Sequence, residues 1–136
     1  MTTARPRLLE VLFSFRTGGS EVVGLELAQQ LSRDGVEVMC TAIDGVTGPL
    51  RARCEAIGIP VIDLGLPYLD ILRRNGFSLA LARRLRDLRL DAIHLQHFLS
   101  LYKCGLAARL AGIPRIVVTE HSAEKIRERA YRVRLH

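Results

Sequence analysis

The sequence predicts an α/β fold, a Rossmann-like open parallel sheet of order about 3-2-1-4-5 with helices on both faces. Two observations carry this. Short apolar, β-rich runs alternate with helical segments along the whole chain, which is the pattern of successive βαβ units. The helical segments close at glycines, Gly35, Gly58 and Gly112, as helix ends commonly do. A chain of 136 residues has room for one such domain, and at this size about 68–70% of the unfolded surface can be buried.

The elements follow in order. Leu8 to Phe15 is an apolar run ending near Gly18-Gly19. From Ser20, Val23, Leu27 and Leu31 recur at helical spacing until Gly35. Val36 to Ile43 reads as a second strand closed by Asp44-Gly45, and Pro49 to Ile57 as a short helix. Pro60 to Leu64 is expected to be a third strand. The stretch 65–76 holds Pro67 and Asn75-Gly76 and is long for a connection between packed elements. Ser78 is placed to cap a helix reaching Leu88. Asp91 to Gln96 is the fourth strand, Ser100 to Ala111 a helix, Arg115 to Thr119 the fifth strand, and Ser122 to Leu135 a charged final helix. Right-handed crossovers should connect the strands.

Composition narrows the function classes. Hydrophobic residues make up 49% and charged residues 25% of the chain, ordinary values for a globular protein. Aromatics are only 5%, with no Trp, which disfavours stacking on bases or sugars, and nucleic acid is not an expected partner. The net charge is +6. Its arginines gather at Arg73-Arg74, at Arg83, Arg84, Arg86 and Arg89, and in the tail from Lys125 to Arg134. Such clusters suit either solvated helix faces or an anionic membrane surface. Cys40, Cys54 and Cys104 are odd in number and lack C-x-x-C spacing, so neither a disulfide framework nor a zinc site is expected, and a reducing cytoplasm fits. No signal peptide is apparent, since the apolar stretch after Arg7 is short and contains Glu10. No apolar run approaches the ~18 residues of a membrane span.

In an open parallel sheet, ligands bind at the carboxyl ends of strands where the strand order reverses. The expected order puts this crevice between the first and fourth strands. At the first stands Gly18-Gly19-Ser20-Glu21. Two glycines permit a sharp turn and close approach of a ligand, and the following helix offers free N–H groups to an anion. The same residues also suit a plain structural turn, with Ser20 as helix cap. In the fourth strand, alternation puts His94 and Gln96 on one face and Ile93 and Leu95 on the other. His94 reads as a hydrogen-bonded core residue and His97, at the strand end, as a site residue. His121 closes the fifth strand beside the same crevice. These histidines do not make a zinc set, because spacing and ligand types are wrong. G-x-G-x-x-G, G-x-x-x-x-G-K-[ST] and G-x-S-x-G are all absent, which argues against a classical NAD site, a P-loop and a nucleophile elbow.

Two separated stretches share a resemblance. Gly18-Gly19-Ser20-Glu21-Val22-Val23 with Leu25 to Ala28 and Leu31 to Val38 (LSRDGVEV), and Asp91 to Ser122 (DAIHLQHFLSLYKCGLAARLAGIPRIVVTEHS), resemble in order and spacing the amino-terminal, acceptor-side domain of family 4 glycosyltransferases. Val36 stands where that family usually has His. The resemblance implies a GT-B enzyme whose active site lies between two Rossmann-like domains. It implies transfer from a nucleotide sugar to a hydroxyl acceptor, with retained anomeric configuration and no metal. Carried onto this sequence, Gly18, Gly19 and Ser20 would face a phosphate. His121 would meet the donor sugar, His97 would line the acceptor side, and the 65–77 loop would shape the acceptor pocket.

The single domain 1–136 is then expected to be the amino-terminal half of such an enzyme, cut before its donor-binding domain and inactive alone. Nothing matches the E-x₇-E motif of the second domain; Glu120 and Glu128 have that spacing by coincidence. The expected partners are a sugar or lipid-linked acceptor, the donor domain and an anionic membrane. Self-association through the fifth-strand edge or the final helix is also expected. The expected location is cytoplasmic, at or near the inner face of the membrane. The rival reading is a stand-alone, non-catalytic binding or peripheral-membrane module on the same fold.

Overall fold

Strand β1 (Arg7–Leu12) is buried from Leu8 onward and lies in the middle of the sheet. Strand β2 (Glu37–Ala42) pairs with it in parallel on one side, and β3 (Ala92–Gln96) on the other. Strand β4 (Arg115–Thr119) pairs in parallel with β3. The order is β2-β1-β3-β4. The computed structural model describes residues 4–65 and 78–121.

The expected third strand is reduced to one parallel bridge, Cys40 to Val61, on the outer side of β2. Its two hydrogen bonds run from the Cys40 N–H to the Pro60 carbonyl and from the Ile62 N–H to the Cys40 carbonyl. The ladder stops there for physical reasons. Pro60 has no N–H to extend it backwards, and Asp63 turns the chain by accepting the Gly65 N–H at 2.8 Å. The bridge still sets residues 60–62 beside β2, so the order 3-2-1-4-5 stands, with β3 and β4 in the fourth and fifth places.

Helix α1 (Gly19–Arg33) and helix α2 (Pro49–Ala56) cover one face of the sheet. Leu25 and Ala28 of α1 and Leu50 and Cys54 of α2 pack there with Leu8, Leu12, Val38 and Cys40. Helix α3 (Leu79–Asp87) and helix α4 (His97–Leu110) cover the other. Leu81 and Leu85 meet Ala107 and Ala108 over Leu9, Val11, Ile93 and Leu95. Ser78 caps α3 as expected, its Oγ accepting the Leu81 N–H at 3.2 Å. The cap of α1 is Gly18 and has no side-chain hydrogen bond. Ser20 therefore lies inside the first turn and does not cap it. Helix α4 starts at His97, three residues before the expected Ser100. The fifth-place strand β4 is the sheet edge among the described residues, and Val117 on it is half exposed. The expected final helix 122–135 and the loop 66–77 lie outside the described residues.

Candidate functional site

The strand order reverses between β1 and β3. The chain runs outward from β1 to β2, returns to β3 on the far side of β1, then continues to β4. The carboxyl ends of β1 and β3 therefore flank the crevice that such a reversal opens. Ser20, in the first turn of the helix that follows β1, and His97, the first residue after β3, face each other across it with Oγ and Nε2 2.9 Å apart. The Ser20 hydroxyl donates to the Glu21 carboxylate at 2.9 Å. Its single proton is thereby used, so the imidazole N–H is the donor in the bond from His97.

His97 is held from three further sides. Its Nδ1 stands 3.6 Å from Glu120 Oε1, an ion pair whenever the ring is protonated. The ring of Phe13 meets it edge-on with centroids 6.4 Å apart, and the ring of His121 lies 5.3 Å away at a 55° tilt. The His97 backbone has φ +73°, a left-handed conformation that costs a residue with a Cβ roughly 1–2 kcal/mol. Glu120 secures this turn, since its Oε2 accepts the Phe98 N–H at 3.0 Å.

The two glycines have different uses. A Cβ on Gly18 would collide with the Glu21 carboxylate, whereas one on Gly19 would meet nothing within 4 Å. The missing Cβ of Gly18 thus makes room for the chain's own carboxylate, which lies over the first turn of α1 where an anion is favoured. The open space is at Gly19.

Behind the crevice lies a buried polar network. Glu10 is fully buried in β1, and an unpaired carboxylate there would be costly. Its Oε2 accepts from His94 Nδ1 at 2.9 Å, and its Oε1 accepts from Gln96 Nε2 at 2.7 Å. His94 Nε2 meets Thr119 Oγ1 at 2.7 Å. When the ring is neutral, with Nδ1–H turned to the carboxylate, Nε2 accepts the threonine hydroxyl. Gln96 Oε1 meets His121 Nε2 at 2.5 Å. Register explains the assembly: Glu10 is directly opposite His94, and Gln96 is opposite Thr119. Helix α1 crosses this network at Gly24, where a Cβ would lie 2.6 Å from Leu12 Cδ2 and 3.6 Å from Glu10 Oε1.

The structure therefore brings together Gly18, Gly19, Ser20, His97 and His121, all of them expected site residues, and places His94 in the core as expected. Glu10, Gln96, Thr119 and Glu120 were missed as parts of the site. Glu10 had a legible signal: an acidic residue inside Leu8-Leu9-Glu10-Val11-Leu12 must find a partner, and His94 and Gln96 share one face of a neighbouring strand. Among the described residues no group of three His, Cys, Asp or Glu side chains could hold a metal ion.

The comparisons with known proteins address what this crevice belongs to. The model for Glycosyltransferase Family 4 matches residues 17–136, most of the chain, with Ser20, His97 and His121 inside the match. The chain belongs to Glycosyltransferase Family 4. The resemblance to that family's amino-terminal, acceptor-side domain is thereby borne out. A crystal structure of MurG from Acinetobacter baumannii superposes on this family 4 domain with a TM-score of 0.61 and 26% identity, over 86% of this chain and 34% of the MurG chain. The family 4 chain thus spans about a third of the length of that structure. No curated protein matches it.

Proposed function

We propose that this family 4 domain binds the acceptor in a glycosyl transfer, taking a hydroxyl-bearing acceptor into the crevice between β1 and β3. The donor is a nucleotide sugar, and the anomeric configuration is retained without a metal. The observation that carries this reading is the Ser20–His97 bridge across the strand-order reversal, with His121 at 5.3 Å. Transfer to a hydroxyl requires that group to be oriented and its proton to be accepted, and imidazoles are suited to both. Gly19 leaves the approach to the α1 terminus open. A second α/β domain supplies most donor contacts, so the 136-residue chain alone is inactive. The test is incubation with UDP-, GDP- and ADP-linked hexoses and an alkyl glycoside as acceptor. Binding of acceptor without turnover fits; transfer at ordinary enzymatic rates by the chain alone contradicts the requirement for a second domain.

The acceptor is lipid-linked in this reading, and a second surface supports that. Leu79, Ala82, Arg83, Arg86 and Leu110 line a cavity of about 320 Å³ between α3 and α4. Tyr102, Leu106 and Leu110, four residues apart along α4, are half exposed, as is Leu79. Half-exposed apolar side chains beside arginines suit an anionic bilayer surface. Leu110 is thirteen residues from His97, about 20 Å along the helix, so this face is separate from the crevice. Co-sedimentation with phosphatidylglycerol vesicles, abolished by Leu106→Glu and weakened by salt, is expected. Equal binding to neutral vesicles would contradict it. Among the described residues no helix is long and apolar enough to cross a membrane.

A further inference from the structure

The hydrogen bonds behind the crevice have a direction, and it starts at Glu10. A carboxylate only accepts, so the atom of Gln96 facing Glu10 Oε1 at 2.7 Å must be its NH₂ group. The reversed amide would put two acceptor oxygens at that distance with no proton between them. Fixing the amide fixes its other end. Gln96 Oε1 is then the atom that meets His121 Nε2, and as an amide oxygen it can only accept. His121 must therefore carry its proton on Nε2. In the neutral ring this leaves Nδ1 with its lone pair.

We infer that Glu10 is a positioning residue which, through Gln96, holds His121 in the Nε2–H tautomer and makes its Nδ1 a hydrogen-bond acceptor for a ligand hydroxyl. His121 is exposed while Glu10 and Gln96 are buried, so the fully buried carboxylate sets the proton position on a ring that solvent and ligand can reach. The chemistry it selects is a donor group such as a sugar hydroxyl. An anion would be refused by the lone pair of the neutral ring, which separates the task of His121 from that of a phosphate-facing terminus. The role given to Nδ1 rests on the acceptor-site reading above. The tautomer itself rests only on Glu10, Gln96 and His121.

The experiment is ¹H–¹⁵N long-range correlation on the full chain labelled with ¹⁵N-histidine, at a pH about two units above the ordinary imidazole value of ~6.5. His121 is assigned by its disappearance in His121→Asn. The wild type should show Nε2–H on His121 in excess of the other tautomer by ~tenfold or more, as expected when the alternative leaves a buried group unpaired. Glu10→Gln lets the amide of Gln96 face either way, so the ratio should fall towards one to one. Gln96→Leu removes the intermediate and should do the same if Glu10→Gln fails to fold. Nδ1–H on His121 in the wild type overturns the inference without any variant. So does an unchanged ratio in the folded variants. If the tautomer is as stated but the His121 signals stay still on adding methyl glucoside, the acceptor-site reading fails and the tautomer assignment does not.

Discussion

Ser20 Oγ and His97 Nε2 lie 2.9 Å apart, joining the first turn of α1 to the first residue of α4 across the point where the strand order reverses. Few residues can serve at the His97 position without cost, because φ is +73°. The ring contacts with Ser20, Glu120, Phe13 and His121 hold it in that conformation. Backbone strain of this kind clusters at functional sites.

His97→Gly is therefore expected to leave stability within about 1 kcal/mol of the wild type. Relief of left-handed strain, worth roughly 1–2 kcal/mol, offsets the lost hydrogen bond, worth about 1 kcal/mol. Acceptor binding should be lost in the same variant. Urea denaturation and glycoside titration together check this. A loss of several kcal/mol would mean that the ring serves the fold.

Glu10→Ala is expected to cost about 2–6 kcal/mol, from two buried donors left unsatisfied at about 1–3 kcal/mol each. It strips Gln96 and His94 of their acceptor at once. A cost below about 1 kcal/mol by urea denaturation would show that the network is not held by this carboxylate.

The glycines of α1 should separate cleanly. Gly24→Ala puts a methyl 2.6 Å from Leu12 Cδ2 and should destabilise by about 1–3 kcal/mol, as overpacking does. Gly19→Ala meets open space, so the melting temperature should hold while ligand affinity falls. Equal thermal shifts in the two variants would contradict the packing described.

Lys103 is buried on α4 with Nζ 4.7 Å over the Tyr102 ring, and desolvation holds its ammonium below the ordinary value of 10.5. Between the lowered folded value and 10.5 the unfolded chain binds more protons, so stability rises with pH through that window. The slope is at most about 1.4 kcal/mol per pH unit for one group. Lys103→Met should remove this increment and be more stable than the wild type on the acid side. Thermal denaturation of both chains across the alkaline range checks it. A wild type that loses stability relative to Lys103→Met as pH rises would refute the assignment. The thiols respond to the same burial: Cys104 is pushed up to about 12, and Cys40 is held above the usual thiol range, first by its hydrogen bond to Cys54 and then by burial.

Much of this was legible in the sequence because the relevant signals are local. The strand and helix periods gave the parallel sheet, and the strand ends gave Gly18, Gly19, Ser20, His97 and His121. What escaped was long-range. Glu10 and His94 are 84 residues apart in the chain, and only strand register sets them opposite each other. Pro60 and the Asp63 turn limit the third strand to a single bridge, a balance that apolar content alone does not reveal. Ser20 looked like a cap because serine favours that position. The Glu21 carboxylate folds over Gly18 and takes the Ser20 hydroxyl, so the capping position passes to Gly18.

The most direct test of the crevice is a ¹H–¹⁵N backbone and histidine titration of the full chain with methyl glucoside and, separately, with UDP-hexose. Glycoside shifts are expected to concentrate at Gly18, Gly19, Ser20, His97 and His121 and to disappear in His97→Gly. Shifts confined to the α3–α4 face, or none at any soluble concentration, would contradict it.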